Sequence, residues 1–163
     1  MSRYLLLLIA AALVLLYLFF PRGDDPREIE SVFGDMRNAA EKKDADGAAE
    51  HFSLQYKDEY GATYPVVKKV IGNVFLKYDS VRVSYSGLSV VFSENESGEK
   101  EAAANLDVTI TGYSSGMPHD LIGSEGSPDN VTVTLKKSGL GGWKITGVEG
   151  LDAQESYQDR INQ

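Results

Sequence analysis

The sequence predicts an α+β domain behind a hydrophobic N-terminal segment, with three helices packed on a curved four-stranded antiparallel sheet. Between residues 25 and 78, apolar residues recur at steps of three and four, which is typical of amphipathic helices. From Ser80 onward they alternate with polar residues, which is typical of strands that bury one face. Because the helices precede all the strands, the order favours an α+β architecture over alternating βαβ units.

The first feature of the chain is an unbroken apolar run from Tyr4 to Phe20, flanked by Arg3 and Arg22. As a helix the run would reach about 25 Å, at the short end of what spans the hydrocarbon core of a bilayer. The alternative is a cleaved signal peptide, but bulky residues stand at the end of the run, where a peptidase needs small ones. We therefore predict an uncleaved membrane anchor and hinge in residues 1–23.

The charge of the chain limits its partners. All 24 acidic residues follow the anchor, so the remainder of the chain carries a net charge of about −10. This charge disfavours nucleic acid as a partner, and the lack of cysteine excludes disulfides. Basic residues at the two ends of the anchor nearly balance, so the positive-inside rule only slightly favours an external domain. The expected location is the bacterial inner membrane, with residues 24–151 in the periplasm as one domain and residues 152–163 as a polar tail.

Three helices are predicted between residues 25 and 78. Asp25 is expected to cap the first helix, which runs to about Lys43, and Asp46 to cap a short second one. Pro65 stands near the start of the third helix, where proline is tolerated. The apolar side of the third helix consists of Val66, Val67, Val70, Ile71, Val74, Phe75 and Tyr78.

Four strands follow, within residues 81–92, 105–111, 131–136 and 143–148. Gly87 interrupts the first strand pattern, which indicates a bulge or a sharp bend. Residues 112–130 are rich in glycine, serine and proline and predict a long loop, because the pattern of alternation is lost. Within this loop, Met117, Leu121 and Ile122 are expected to fold back as a flap.

Two stretches suggest a known family. One runs from Asp46 to Ser53 with the sequence DGAAEHFS, and the other from Gly142 to Gly150 with the sequence GWKITGVEG. Together with the long first helix, they make the chain resemble the nuclear transport factor 2-like superfamily, a conical fold shared with ketosteroid isomerase and SnoaL-like proteins. The resemblance implies the fold rather than a function, because the superfamily includes enzymes, binding modules and scaffolds.

The candidate ligand-binding residues are Tyr56, Tyr60, Tyr64 and His51. The three tyrosines recur at four-residue steps, and a tyrosine combines apolar area with a polar tip, which suits a ligand entrance or a partner surface. Packing in the core is the alternative for them. His51 stands beside Phe52 and is expected at the mouth of the cone.

No catalytic residue, metal or cofactor is predicted. Asp107 alternates with Leu106 and Val108, so we expect it on the solvated face of the sheet. His119 stands next to Asp120 in the long loop, where nothing fixes the pair as a catalytic dyad. Two histidines without cysteine, and without carboxylates at ligand spacing, do not indicate a zinc site.

The expected function is therefore binding of a protein partner or a small apolar ligand by a membrane-anchored, non-catalytic domain at the cell envelope. One alternative is a subunit of a secretion complex, because the architecture resembles the single-span component of type IV secretion channels. Another is an isomerase or dehydratase of the ketosteroid isomerase type. A homodimer is also expected through the threonine-rich outer face of the sheet, formed by Thr109, Thr111, Thr132, Thr134 and Thr146.

Overall fold

The computed structural model describes residues 25–139 and 142–151. Within these ranges, three helices come first and are followed by strands, as the sequence predicts. The helices are α1 (Asp25–Glu41), α2 (Ala45–Ala49) and α3 (Tyr64–Lys77). The strands are β1 (Ser80–Glu94), β2 (Lys100–Ser114), β3 (Met117–Ile122), β4 (Asp129–Lys137) and β5 (Trp143–Glu149).

The sheet is antiparallel and has five strands, so the prediction of four strands is wrong. Its main order is β1-β2-β4-β5, and β3 pairs with the part of β2 that lies beyond β4. The predicted long loop is wrong for the same reason, because residues 112–114 continue β2 and residues 117–122 form β3. The first four residues of β3 are exposed, so the strand lacks the alternation of apolar and polar residues that marks a half-buried strand.

A bulge in β1 keeps its apolar residues on one face. The register of β1 against β2 shifts between Ser86 and Ser89, and Gly87 has a φ of +67°. The extra residue shifts the alternation of inward and outward side chains by one position. Leu88 and Val90 therefore pack against the same core as Tyr85. The bulge expected at Gly87 is therefore confirmed.

The core lies between the helices and the inner face of the sheet. From α1, Ile29 and Phe33 are buried, and they belong to one apolar cluster with Leu106, Leu135 and Ile145 of the sheet. A second cluster joins α2 and the end of α3 to β1 through Ala48, Phe75, Tyr78 and Val81. The predicted apolar side of α3 thus faces inward, and Val67, Phe75 and Tyr78 are its most buried members.

The cap of α2 differs from the prediction. Asp44, and not Asp46, precedes the helix, and its Oδ1 accepts a hydrogen bond from the backbone N–H of Gly47 at 3.0 Å. Asp46 lies inside the first turn and pairs with Lys68 at 2.7 Å. Both aspartates suit a helix start, and the position where the backbone leaves the extended conformation decides between them.

Within the described residues, no helix is both long enough and apolar enough to cross a membrane. The predicted anchor at residues 4–20 lies outside the described residues, as does the polar tail.

Candidate functional site

An apolar cavity of about 290 Å³ lies between α1, α3 and the sheet. The helices contribute aliphatic and aromatic side chains from their inner sides, and the strands contribute mainly β-branched residues and leucine. Its apolar lining includes Phe33, Met36, Ala40, Val67, Val70, Ile71, Val74, Phe75, Val81, Val83, Leu106, Val108, Ile110, Val131, Val133, Ile145 and Val148. Well-formed apolar pockets with few polar groups are the usual binding sites for small molecules.

The polar side chains among the lining residues are Arg37, Tyr56 and Tyr85. Arg37 is exposed at the edge of α1, and its guanidinium carbon lies 5.5 Å from the centre of the Tyr85 ring. Tyr85 is half-buried and also packs against Phe33, with their ring centres 6.0 Å apart. The arginine therefore lies where the cavity meets solvent, above an aromatic face that favours a cation.

Tyr56 reaches the cavity because the loop after α2 is attached to the edge of β5. Ser53 and Lys57 donate backbone hydrogen bonds to the carbonyl groups of Ile145 and Thr146, at 2.8 and 3.0 Å. Tyr56 is only 4% exposed. The centre of its ring lies 5.2 Å from that of Phe52, and the two rings are in an edge-to-face arrangement. Paired in this way, the loop forms one wall of the cavity.

Asp58 organises the same loop from inside. The residue is buried, and its Oδ1 accepts hydrogen bonds from the backbone N–H groups of Tyr60 at 3.0 Å and Ala62 at 2.8 Å. The Tyr56 hydroxyl donates to its Oδ2 at 3.5 Å. Asp58 is not among the residues that line the cavity, so its contacts serve the conformation of the loop.

The structure separates the four candidate ligand-binding residues, and only Tyr56 of the four lines the apolar cavity. The Tyr60 hydroxyl donates to the carbonyl oxygen of Leu151 at 2.7 Å, which fixes Leu151 beside the cavity that it lines. Tyr64 lines a different, polar groove, and His51 lines neither.

His51 is enclosed by its surroundings rather than presented to a ligand. Its side chain is 13% exposed, and its Nε2 lies 3.7 Å from the Glu50 carboxylate. Burial is the largest influence and lowers the pKa of His51, although Glu50 opposes this effect. Burial therefore favours the neutral form of the imidazole.

The polar groove, of about 550 Å³, is lined by Tyr64, Ser53, Gln55 and three lysines, among other residues. The lysines already have partners. Lys136 pairs with Glu101 at 2.8 Å, and Lys137 pairs with Asp25 and Glu28. Lys144 donates to the backbone carbonyl of Glu50 at 2.6 Å. Two of the lysines pair with carboxylates and the third with a backbone carbonyl, so the groove is a weaker candidate site than the apolar cavity.

The carboxylate and the second histidine considered from the sequence lie away from the cavity. Asp107 accepts a hydrogen bond from the Asn130 side chain at 2.9 Å on the outer face of the sheet. Asn130 also bonds with Asn105, which forms a polar network across β2 and β4. His119 is exposed, with its ring 5.7 Å from that of Tyr78. Among the described residues, no cluster of three histidine or acidic side chains has the arrangement of a metal site.

The candidate residues chosen from the sequence did not include Arg37. A signal for it was present in the spacing, because Arg37 stands four residues after Phe33 and three before Ala40. Residues at these distances are neighbours on a helix surface, so Arg37 borders the stripe at its edge.

Solved structures with the same arrangement of elements identify the fold. An NTF2-like protein with a cystatin-like fold from Novosphingobium aromaticivorans matches 95% of each chain with a TM-score of 0.59 and 17% identity. The chain has the NTF2-like fold. No protein-family model matches the sequence, and no curated protein sequence matches it.

Other solved structures that match this chain belong to proteins with different descriptions. A Novosphingobium aromaticivorans protein provisionally assigned as a scytalone dehydratase matches with a TM-score of 0.59 and 18% identity, over 76% of this chain and 80% of that one. Pgp2, the helical cell shape determining protein of Campylobacter jejuni, matches with a TM-score of 0.58 and 11% identity over 72% of this chain. The match spans only 38% of Pgp2. At these identities the likeness shows the fold alone.

Proposed function

We propose that this chain is a membrane-anchored, non-catalytic NTF2-like domain that binds a small apolar ligand at the cell envelope. The observation that supports this function is the cavity between α1, α3 and the sheet, whose lining is almost entirely apolar. A volume of 290 Å³ corresponds to roughly ten non-hydrogen atoms, if each takes the share of volume that a water molecule has in the liquid. The ligand is therefore small and compact.

The lining supports binding over catalysis. An isomerase or dehydratase needs a titratable group that can transfer a proton near neutral pH, most often histidine, aspartate or glutamate. The residues that line the cavity, all within the described ranges, include none of these three types. His51 and Asp107, the groups considered for an enzyme, lie outside the lining. The fold shared with a provisionally assigned dehydratase does not carry that activity to this chain.

The envelope location is supported by the sequence of the first 23 residues and remains a proposal. A reporter fused after Gln163 tests it, because alkaline phosphatase folds actively only outside the cytoplasm, whereas green fluorescent protein fluoresces best inside. Phosphatase activity in the membrane fraction is expected. Fluorescence without phosphatase activity would place the domain in the cytoplasm, and reporter activity in the soluble fraction would refute the anchor.

Pairing of two copies through the outer face of the sheet is a separate proposal. The polar network of Asn105, Asp107 and Asn130 offers hydrogen-bonding groups to a second copy. The mass of the protein in lipid nanodiscs, measured by light scattering, distinguishes one copy from two.

Ligand binding is tested by filling the cavity. The full chain, in lipid nanodiscs because detergent tails would compete, is titrated with 1-octanol while the ¹³C-labelled methionine methyl groups are observed by NMR. Met36 lines the cavity, whereas Met117 is 63% exposed on β3 and serves as an internal control. We expect 1-octanol to shift the Met36 signal and to leave the Met117 signal unchanged.

Ala40→Phe places a ring in the cavity, and Ala103→Phe adds the same ring to an exposed position on the outer face of the sheet. Displacing two methylene groups of the ligand costs about 1.6 kcal/mol, so Ala40→Phe should weaken binding about tenfold. Ala103→Phe should leave it unchanged. If 1-octanol does not shift Met36 in the parent chain, or binds equally to both variants, the cavity is not the ligand site. Circular dichroism verifies that the variants fold, and Val70→Phe replaces Ala40→Phe if that variant does not.

A further inference from the structure

The cavity has one charged side chain in its lining, and that side chain is positive. Arg37 extends from α1 at the solvent side of the cavity, while the other lining residues, all within the described ranges, are uncharged. The chain carries a net charge of −8, so a cation at this place contrasts with its surroundings. A lone arginine at the entrance of an apolar cavity favours a ligand with an anionic head.

Arg37 is also available to a ligand. Within the part of the chain that the structure describes, no carboxylate pairs with Arg37, although Lys68, Lys100, Lys136 and Lys137 all have acidic partners. The Arg37 guanidinium lies over the Tyr85 ring. This contact orients the guanidinium without using the N–H groups of Arg37 as hydrogen-bond donors. The N–H groups of the Arg37 guanidinium are therefore available to hydrogen-bond a ligand.

Tyr85, whose ring centre lies 5.5 Å from the Arg37 guanidinium carbon, also lines the cavity and carries a hydroxyl as a second polar group. No hydrogen bond joins this hydroxyl to another of the described residues. Tyr85 comes from β1 and Arg37 from α1, so the two groups approach the cavity from the sheet and from the helix layer. A tyrosine hydroxyl and a guanidinium are both hydrogen-bond donors to an oxyanion.

We infer that the cavity binds a small amphipathic carboxylate, with the carboxylate at Arg37 and Tyr85 and the apolar body inside. A carboxylate matches the planar guanidinium through two parallel hydrogen bonds and carries the single charge that one arginine neutralises. A phosphate dianion would need a second cation, and the lining offers none among its described residues. This inference rests on the proposed function, because it specifies the class of ligand for the same cavity.

The test compares two probes with the same eight-carbon chain, octanoate and 1-octanol, at neutral pH. Binding of each to the full chain in nanodiscs is followed through the Met36 methyl signal, and empty nanodiscs correct for partition into lipid. An exposed charge pair contributes up to about 1 kcal/mol, which corresponds to about fivefold in affinity. Octanoate should therefore bind about fivefold more tightly than 1-octanol.

Arg37→Gln should remove the preference for octanoate over 1-octanol. Arg37→Lys should restore part of the preference, because lysine keeps the charge but lacks the planar fork. Arg82→Gln is the matched control, since Arg82 also lies 5.5 Å from a tyrosine ring, that of Tyr113, and is not among the residues lining the cavity. It should leave both affinities unchanged.

The outcomes separate the two proposals. If 1-octanol binds and octanoate binds no more tightly, the carboxylate inference is overturned while the apolar site stands. An equal loss of octanoate preference in the Arg37→Gln and Arg82→Gln variants would also overturn the inference, because the effect would then reflect net charge. If neither probe shifts the Met36 signal, the proposed function itself fails.

Discussion

Replacing Gly112 by alanine tests how closely the end of α3 packs on the sheet. Gly112 is buried in β2, and the ring of Tyr78, which follows α3, lies directly against its backbone. A methyl group at Gly112 would lie 2.6 Å from Cγ, 2.7 Å from Cδ1 and 2.9 Å from Cδ2 of that ring. Ordinary contact between carbon atoms is about 3.5–4.0 Å, so the ring must move by about 1 Å.

Tyr78 has little freedom to move. It is 7% exposed, and its backbone N–H closes the last turn of α3 by donating to the carbonyl oxygen of Val74. Overpacking of a core by a methyl group typically costs 1–3 kcal/mol, and we expect about 2 kcal/mol for Gly112→Ala. For a domain of this size the melting temperature should fall by roughly 6–12 °C.

Gly72→Ala is the matched control, because Gly72 lies within α3 and a methyl group there meets no atom within 4 Å. It should stabilise the protein by about 0.5–1 kcal/mol, since alanine favours the helix. Urea unfolding followed by tryptophan fluorescence measures both variants. In a Tyr78→Ala background the added cost of Gly112→Ala should nearly vanish. A cost that persists without the ring, or a Gly112→Ala variant as stable as the parent, would refute the packing argument.

Two further predictions concern α1 and α2. Burial alone would raise the pKa of Asp25, but hydrogen bonds and charge from Lys100 and Lys137 outweigh burial and lower it. Asp25→Asn should therefore cost about 1 kcal/mol at pH 7, and in urea unfolding at several pH values this difference should shrink as the pH falls below the usual value of 3.8. A difference that does not change with pH would contradict the assignment. Asp44→Ala should cost about 1 kcal/mol because it removes the cap of α2, whereas Asp46→Ala should cost less in the same assay, because its pair with Lys68 is exposed. Equal costs would contradict the choice of Asp44 as the cap.

The elements that bury one face were the ones the sequence could predict. The apolar spacing located α1 and α3 to within about two residues, and alternation located four of the strands. β3 was missed because Met117, Pro118, His119 and Asp120 are all exposed, and exposure leaves no alternating pattern. β3 forms there because β2 extends beyond the end of β4, and the backbone N–H and C=O groups of that extension need hydrogen-bond partners.

The separation of the tyrosines has a similar cause. Steps of four residues make side chains neighbours on a helix, but they do not do so in a loop. Tyr56 and Tyr60 lie in the loop before α3, where the pairing of residues 51–57 with β5 and the hydrogen bonds of Asp58 set the direction of each side chain. Tyr56 consequently points to the cavity, and Tyr60 reaches the backbone of Leu151.

By itself, the sequence determined which residues of this protein avoid water, because periodicity records the face that each side chain occupies. It thereby determined the α+β class, the inward side of α3 and the outward position of Asp107. Only the tertiary structure decided that the inner faces enclose a cavity of about 290 Å³ and that Arg37 stands at its edge. The distance between the helices and the sheet depends on contacts between residues far apart in the chain. The spacing of apolar residues along a short segment therefore cannot predict it.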